Sequence, residues 1–159
     1  MNLKQIAASI CFMIFGSTVY AQTVLTVAGT TPSGEPMSID YSMEDLAALD
    51  QVELTTINEF VDSETQFSGP LVRDLVKGFT VTDDTTLTLQ AINDYEVSMP
   101  IADALKYDVI VATKRDGNQM SVRENGPLWI IYPMSDNPEL QNSLYMSRLA
   151  WQLVRITVE

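Results

Sequence analysis

After residue 21 the apolar residues come in short runs, each ended within a few positions by Gly, Pro, Asn or Asp. That pattern leaves no stretch long enough for a transmembrane helix and points to many short strands. Thr23–Ala28 alternates as a strand, Thr30 to Gly34 reads as a turn, and Met37–Tyr41 pairs back across it. Ser42 stands three residues before Asp45, a capping box opening a short helix to Leu49. Val52–Ile57 is the next strand. Pro70 to Lys77, closed by Gly78, follows the rule of Pro first and Gly last for a helix. Thr86–Ile92 and Tyr95–Met99 flank the Asn93-Asp94 turn, and Pro100 starts a short helix, Ile101–Leu105. Val109–Thr113 and Gln119–Arg123 flank Asp116-Gly117, a hairpin signal. Leu128–Tyr132 is continuously apolar and reads as a strand buried on both faces, whereas Pro133–Ser147 is polar and irregular, with room for one helical turn. Trp151–Val158 closes the chain as a strand whose apolar phase slips between Leu153 and Val154, the mark of a bulge. No repeat divides these elements. They describe one β-rich α+β domain over residues 22–159.

Residues 1–21 carry Lys4, no acid, an apolar run from Ile6 to Phe15, and the ending Val19-Tyr20-Ala21. This is the layout of a secretory signal peptide, with cleavage expected between Ala21 and Gln22. The chain has 9 Lys or Arg and 21 Asp or Glu, a formal charge of −12. Loss of Lys4 with the leader makes that −13, since −12 − 1 = −13. So negative a surface repels nucleic acid and anionic lipid. The chain has no His, and its one Cys, Cys11, lies in the leader. Histidine triads, zinc fingers, thiolate ligands, cysteine nucleophiles and disulfides are therefore all excluded from the exported domain. The expectation is a periplasmic protein held together by its core, without membrane insertion after cleavage.

Carboxylates, hydroxyls, Lys and Arg remain for chemistry. Asp83-Asp84 are adjacent, so a strand would aim them apart and a turn would solvate them. Asp62-x-Glu64 begins like a calcium loop, but its sixth position is Phe67 and its closing Glu is missing. Asp136-Asn137-Pro138-Glu139 reads as a turn, and Gly126-Pro127 is no phosphate loop. Binding fares better than catalysis. The cations gather late in the chain, at Lys114, Arg115, Arg123, Arg148 and Arg155, near the two tryptophans, Trp129 and Trp151. Guanidinium beside an aromatic ring suits a flat, polar-edged ligand.

Phe67-Ser68-Gly69-Pro70-Leu71-Val72-Arg73-Asp74-Leu75-Val76 and Asp94 to Ile101 (DYEVSMPI) open a series of motifs whose order resembles the molybdopterin-binding domain of sulfite oxidases. The first is similar to that family's helix entry and the second to its Gly-Tyr-Ser-x-x-Leu-Pro-Leu segment. Asp108-Val109-Ile110-Val111-Ala112 resembles its Asp-x-Ile-Leu-Ala strand. Asp116-Gly117 with Met120 resembles its Asn-Gly hairpin. Gly126 to Pro133 (GPLWIIYP) and Trp151-Gln152-Leu153-Val154-Arg155-Ile156 follow in the family's order. The departures fall together. The molybdenum-ligating Cys corresponds approximately to Thr56, the phosphate-holding Arg to Trp129, and the Lys before the closing Trp to Ala150.

With those residues gone, the chain looks like a smaller group on the same fold, periplasmic pterin-binding proteins without molybdenum. That resemblance implies a reduced, tetrahydropterin-like ligand and no catalysis. It also implies relay to the periplasmic domain of a membrane sensor that controls cyclic-di-GMP synthesis or breakdown. The residues expected at the ligand are Trp129 stacking on the ring, Trp151 or Tyr145 bordering it, and Arg148 and Arg115 addressing its ring or side chain. Asp94 is expected to accept from its aminopyrimidinone, with Asn58 and Thr56 lining the family's metal position. The alternative is a molybdenum-cofactor-dependent oxidoreductase or a subunit of one. A third reading, a structural adaptor with a vestigial pocket, predicts that Trp129 is packed into the core. Intact-mass measurement of protein recovered after export is expected to give a chain beginning at Gln22, and a chain retaining Met1 to Ala21 would contradict the leader reading.

Overall fold

The structure is a computed structural model that describes residues 22–159, so the leader reading lies outside the described residues. Among the described residues, eleven strands form three sheets, accompanied by four short helices. The largest sheet joins β1 (Thr23–Thr30), β2 (Pro36–Ser42), β5 (Thr86–Ala91), β6 (Glu96–Pro100) and β11 (Leu153–Val158), in the order β2-β1-β11-β5-β6. Within it β1 and β11 run parallel, and the other neighbours are antiparallel. A second sheet has the order β3 (Val52–Thr56), β4 (Thr65–Gly69), β8 (Lys114–Arg115) and β9 (Asn118–Gln119). Between the two core clusters lies a ribbon of β7 (Ile110–Ala112) and β10 (Trp129–Ile131).

The period of two along that ribbon explains why both of its faces are apolar. Val111 and Ile130 face the larger cluster, with Leu25, Val27, Leu87, Leu89 and Ile156 of the five-stranded sheet. Ile110, Ala112, Trp129 and Ile131 face a smaller cluster with Phe67 and Met120. The helices cap the larger cluster with single apolar faces. They are α1 (Met43–Ala48) through Leu46, α2 (Val72–Leu75) through Val72 and Leu75, and α3 (Ile101–Lys106) through Ile101 and Ala104. The capping box of α1 forms as read, with Asp45 N–H donating to Ser42 Oγ and Ser42 N–H donating to the Asp45 carboxylate.

Three elements differ from the sequence reading. The helix expected from Pro70 to Lys77 shrinks to α2 because Pro70 accepts from the Val111 amide and Leu71 bridges Ile110, so the ribbon claims its first residues. The strand expected over Gln119–Arg123 ends at Gln119. There Ser121 and Glu124 form a second capping box and turn Val122–Glu124 into a single 3-10 turn. β4 went unread, although Thr65, Phe67 and Gly69 alternate inward along it. The hairpin at Asp116-Gly117 stands, with both residues left-handed at φ 48° and 77°, as a two-residue β-turn of this kind requires. The bulge in β11 stands too, as a register shift against β5 between Leu153 and Arg155.

Gly69 marks where β4 meets the ribbon, since a Cβ there would collide with the Val111 carbonyl. Gly69→Ala is expected to cost about 1–3 kcal/mol, the usual penalty of overpacking. Gly78→Ala meets the flexible end of Met37 at 3.1 Å and should change little. Equal thermal midpoints for the two variants would contradict this packing.

Candidate functional site

A cavity of about 380 Å³ opens at the edge of the larger core cluster, against Leu149 and Ala150. The loop from β3 to β4 supplies Glu59 and Phe60, and the turn from β5 to β6 supplies Asn93 and Tyr95. The third wall is α4 (Ser143–Met146) and the chain that follows it to Trp151. Asn58 shapes the first wall. Its Oδ1 accepts from the Phe60 amide and its carbonyl from the Val61 amide, which folds the loop into a tight turn. Phe60 then meets Trp151 edge to face, with ring centroids 4.8 Å apart. Across the opening, the Tyr95 hydroxyl donates to the Ser147 carbonyl at 3.4 Å and ties the second wall to the third. Tyr95 is 49% exposed and Trp151 37%, so both rings can be reached by a ligand. Glu59 is the one charged side chain of the lining; no Lys or Arg is part of it.

Of the residues expected at the ligand, the cavity contains Trp151 alone. Trp129 is fully buried. It stands edge-on to Phe67 at 5.5 Å and donates its indole N–H to the Leu149 carbonyl at 3.2 Å, so neither ring face is free to stack. Thr56 is also fully buried, and its hydroxyl accepts the amides of Met134 and Ser135 at 3.0 and 3.2 Å. That hydroxyl fastens β3 to the chain after β10 and lines no cavity. Asn58 is 6% exposed and lies behind its own loop, with Nδ2 buried and unpartnered among the described residues. Arg115 lies on β8 beside Asp116, in a separate groove near the hairpin. Asp94 occupies the left-handed position of the β5–β6 turn at φ 62°, where its neighbour Asn93 faces the cavity instead.

Tyr145 and Arg148 are excluded by helical geometry. Ser143, Met146 and Ser147 share one face at spacings of three and four, and Tyr145 and Arg148 share another. That second face turns toward α3. Arg148 Nη1 lies 2.7 Å from Asp103 Oδ2, and its guanidinium stacks 5.3 Å from the Tyr145 ring centre. The Tyr132 hydroxyl donates to the same Asp103 oxygen at 2.8 Å. The pair is nearly dry, with side chains 12% and 10% exposed. Burial, then the charge of Asp103, raises the Tyr132 phenol well above the usual tyrosine value.

Glu59, Phe60 and Tyr95 complete the site and were not assigned to it from sequence. An acid and an aromatic directly after Asn58, in a break between two strands, were the available signal. Among the described residues no group of three or more Cys, His, Asp or Glu could hold a metal ion. No helix there is long and apolar enough to cross a membrane.

Residues 21–135 match the family described as the oxidoreductase molybdopterin binding domain, and the chain belongs to that family. Membership supports binding of a pterin-type cofactor in general. The match ends before α4, so the third wall of the cavity lies beyond it. No curated protein matches the chain.

Tyr132→Phe removes one hydrogen bond to a buried carboxylate and is expected to cost about 2 kcal/mol near neutral pH. Because folding raises the phenol's pKa, its contribution is complete below about pH 10 and lost as pH rises above that value. Denaturant melts should therefore show an alkaline fall in stability that is shallower in the variant. Parallel curves for the two proteins would contradict the role given to this hydroxyl.

Proposed function

We propose that this member of the molybdopterin-binding family is a metal-free binder of simple reduced pterins, not an enzyme. The observation that carries the reading is the cavity lining, aromatic rings around a single carboxylate with no cation. The aminopyrimidinone edge of a pterin presents an amino N–H and a ring N–H side by side, which the two oxygens of Glu59 can accept together. Trp151, Phe60 and Tyr95 offer apolar ring surface to the flat bicycle. The volume suits a small molecule. Molybdopterin carries a phosphate, which would meet Glu59 and no Lys or Arg here, and its metal would find no thiolate. The residues present thus fit the pterin better than the metal-bearing cofactor.

Burial of Trp129 is what a vestigial pocket predicts; the open cavity at Trp151 supports a binding role nonetheless. The leader-like first 21 residues support export to the periplasm. The resemblance to metal-free pterin binders supports relay of pterin occupancy to the periplasmic domain of a membrane sensor governing cyclic-di-GMP.

Calorimetric titration of residues 22–159 with a tetrahydropterin is expected to give saturable binding at one site. Glu59→Gln and Trp151→Ala should each weaken it by about tenfold or more, equivalent to about 1.4 kcal/mol. Arg115→Ala should not. Absence of binding, or binding indifferent to Glu59 and Trp151, would overturn the proposal. Stoichiometric molybdenum in protein from its native host would favour the oxidoreductase alternative.

A further inference from the structure

Among the described residues the four-stranded sheet stops at β3, whose outer edge has no strand beside it. Which backbone groups that edge presents follows from β4. The Gln66 and Ser68 carbonyls accept from the Asp116 and Thr113 amides on the β8 side. Backbone direction alternates along a strand, so Thr65, Phe67 and Gly69 face β3. In the observed register these pair with Thr56, Leu54 and Val52. The N–H and C=O groups of Glu53 and Thr55 are therefore left pointing outward. The next outward amide, Ile57, is already satisfied by Ser135 Oγ at 3.1 Å. The edge is closed at that end and open along the rest.

An open groove of about 580 Å³ runs beside it, between β3 and residues Pro133 to Asn137. Tyr107, Pro133 and Leu54 give it an apolar floor, while Glu53, Glu64, Asp108 and Asp136 stand against a single cation, Lys106. Asp108 is paired with Arg73 at 2.7 Å, and Lys106 is engaged by the Tyr107 hydroxyl and Glu139. Glu53, Glu64 and Asp136 have no ion-pair partner among the described residues.

We propose that this groove docks an extended basic segment of a partner protein as an added strand on β3. Its main chain would bond the outward groups of Glu53 and Thr55, and its Lys or Arg side chains would meet Glu53, Glu64 and Asp136. A second copy of this chain fits poorly, because pairing β3 with itself crowds Glu53 carboxylates between two chains of charge −12. The other long edges, β2 and β6, carry Pro36 and Pro100 and border none of the grooves described. The inference does not depend on what occupies the cavity. β3 does lead within three residues to Glu59, so one hairpin serves both places.

The test uses a peptide of alternating Lys and Val, and an alternating Glu and Val peptide of equal length, on residues 22–159. The basic peptide should bind saturably, slow amide exchange at Glu53 and Thr55, and lose about tenfold or more in affinity with Glu53→Lys/Asp136→Lys. Thr55→Pro, which removes an outward N–H that β4 does not use, should weaken it while leaving the fold's amide spectrum intact. No binding, equal binding of the acidic peptide, or protection confined to other residues would overturn the proposal. So would a dimer by sedimentation that Thr55→Pro abolishes, since the edge would then serve a second copy.

Discussion

A nearly dry guanidinium governs how the last third of this chain is laid down. Arg148 loses most of its hydration, and an unpaired charge in that position would cost several kcal/mol. Asp103 on α3 answers it directly, and Tyr132 fills the remaining demand of the same carboxylate oxygen. Such a pair adds little net stability over a well-packed apolar one, so its value lies in placement. It fixes which way α4 faces. With Arg148 and Tyr145 turned to α3, Met146 and Ser147 must face the β5–β6 turn. The polar stretch from Pro133 to Ser147, whose only regular pieces are a 3-10 turn at Pro138–Leu140 and α4, thereby acquires a defined position.

The cavity exists because that wall stands apart from the β3–β4 loop, with Trp129 as the partition behind them. Trp129 packs between Phe60 and Phe67 and bonds the Leu149 carbonyl, so the indole supports the third wall from within the core. In the resemblance to sulfite oxidases, this position carries the cationic grip on a phosphate. Here an aromatic ring makes the same neighbourhood dry, and the charge that faces the cavity is the acid Glu59. On the proposed reading, this reversal of sign favours an uncharged, donor-edged heterocycle over a phosphate-bearing cofactor. The family fold persists while the chemistry available on it narrows.

Much of the fold was legible because its boundaries rest on local chemistry. Ser42 with Asp45, Asp116 with Gly117, and the phase slip after Leu153 each act within a few residues, and each forms as read. The collinear motifs were legible in the same way, and the family match covers those up to Pro133, while Trp151–Ile156 lies beyond it. Pro70–Lys77 and Gln119–Arg123 were misread where a distant partner intervened or a second cap competed. The site was far less legible. Reading Leu128–Tyr132 as buried on both faces already conflicted with exposing Trp129 to a ligand, and burial won. Asp94 and Asn93 differ by one position in a turn, and Tyr145 and Met146 by one in a helix of four residues. Neither choice is visible without the neighbouring element that takes one side. Glu59 became a site residue through the approach of Trp151, some ninety residues later in the chain.

The central claim concerns the identity of the natural occupant, and native mass spectrometry of the protein isolated from its own host addresses it most directly. The account predicts an added mass equal to one pterin, free of phosphate and molybdenum and released on unfolding. An added mass matching a phosphorylated, molybdenum-bearing pyranopterin would contradict it.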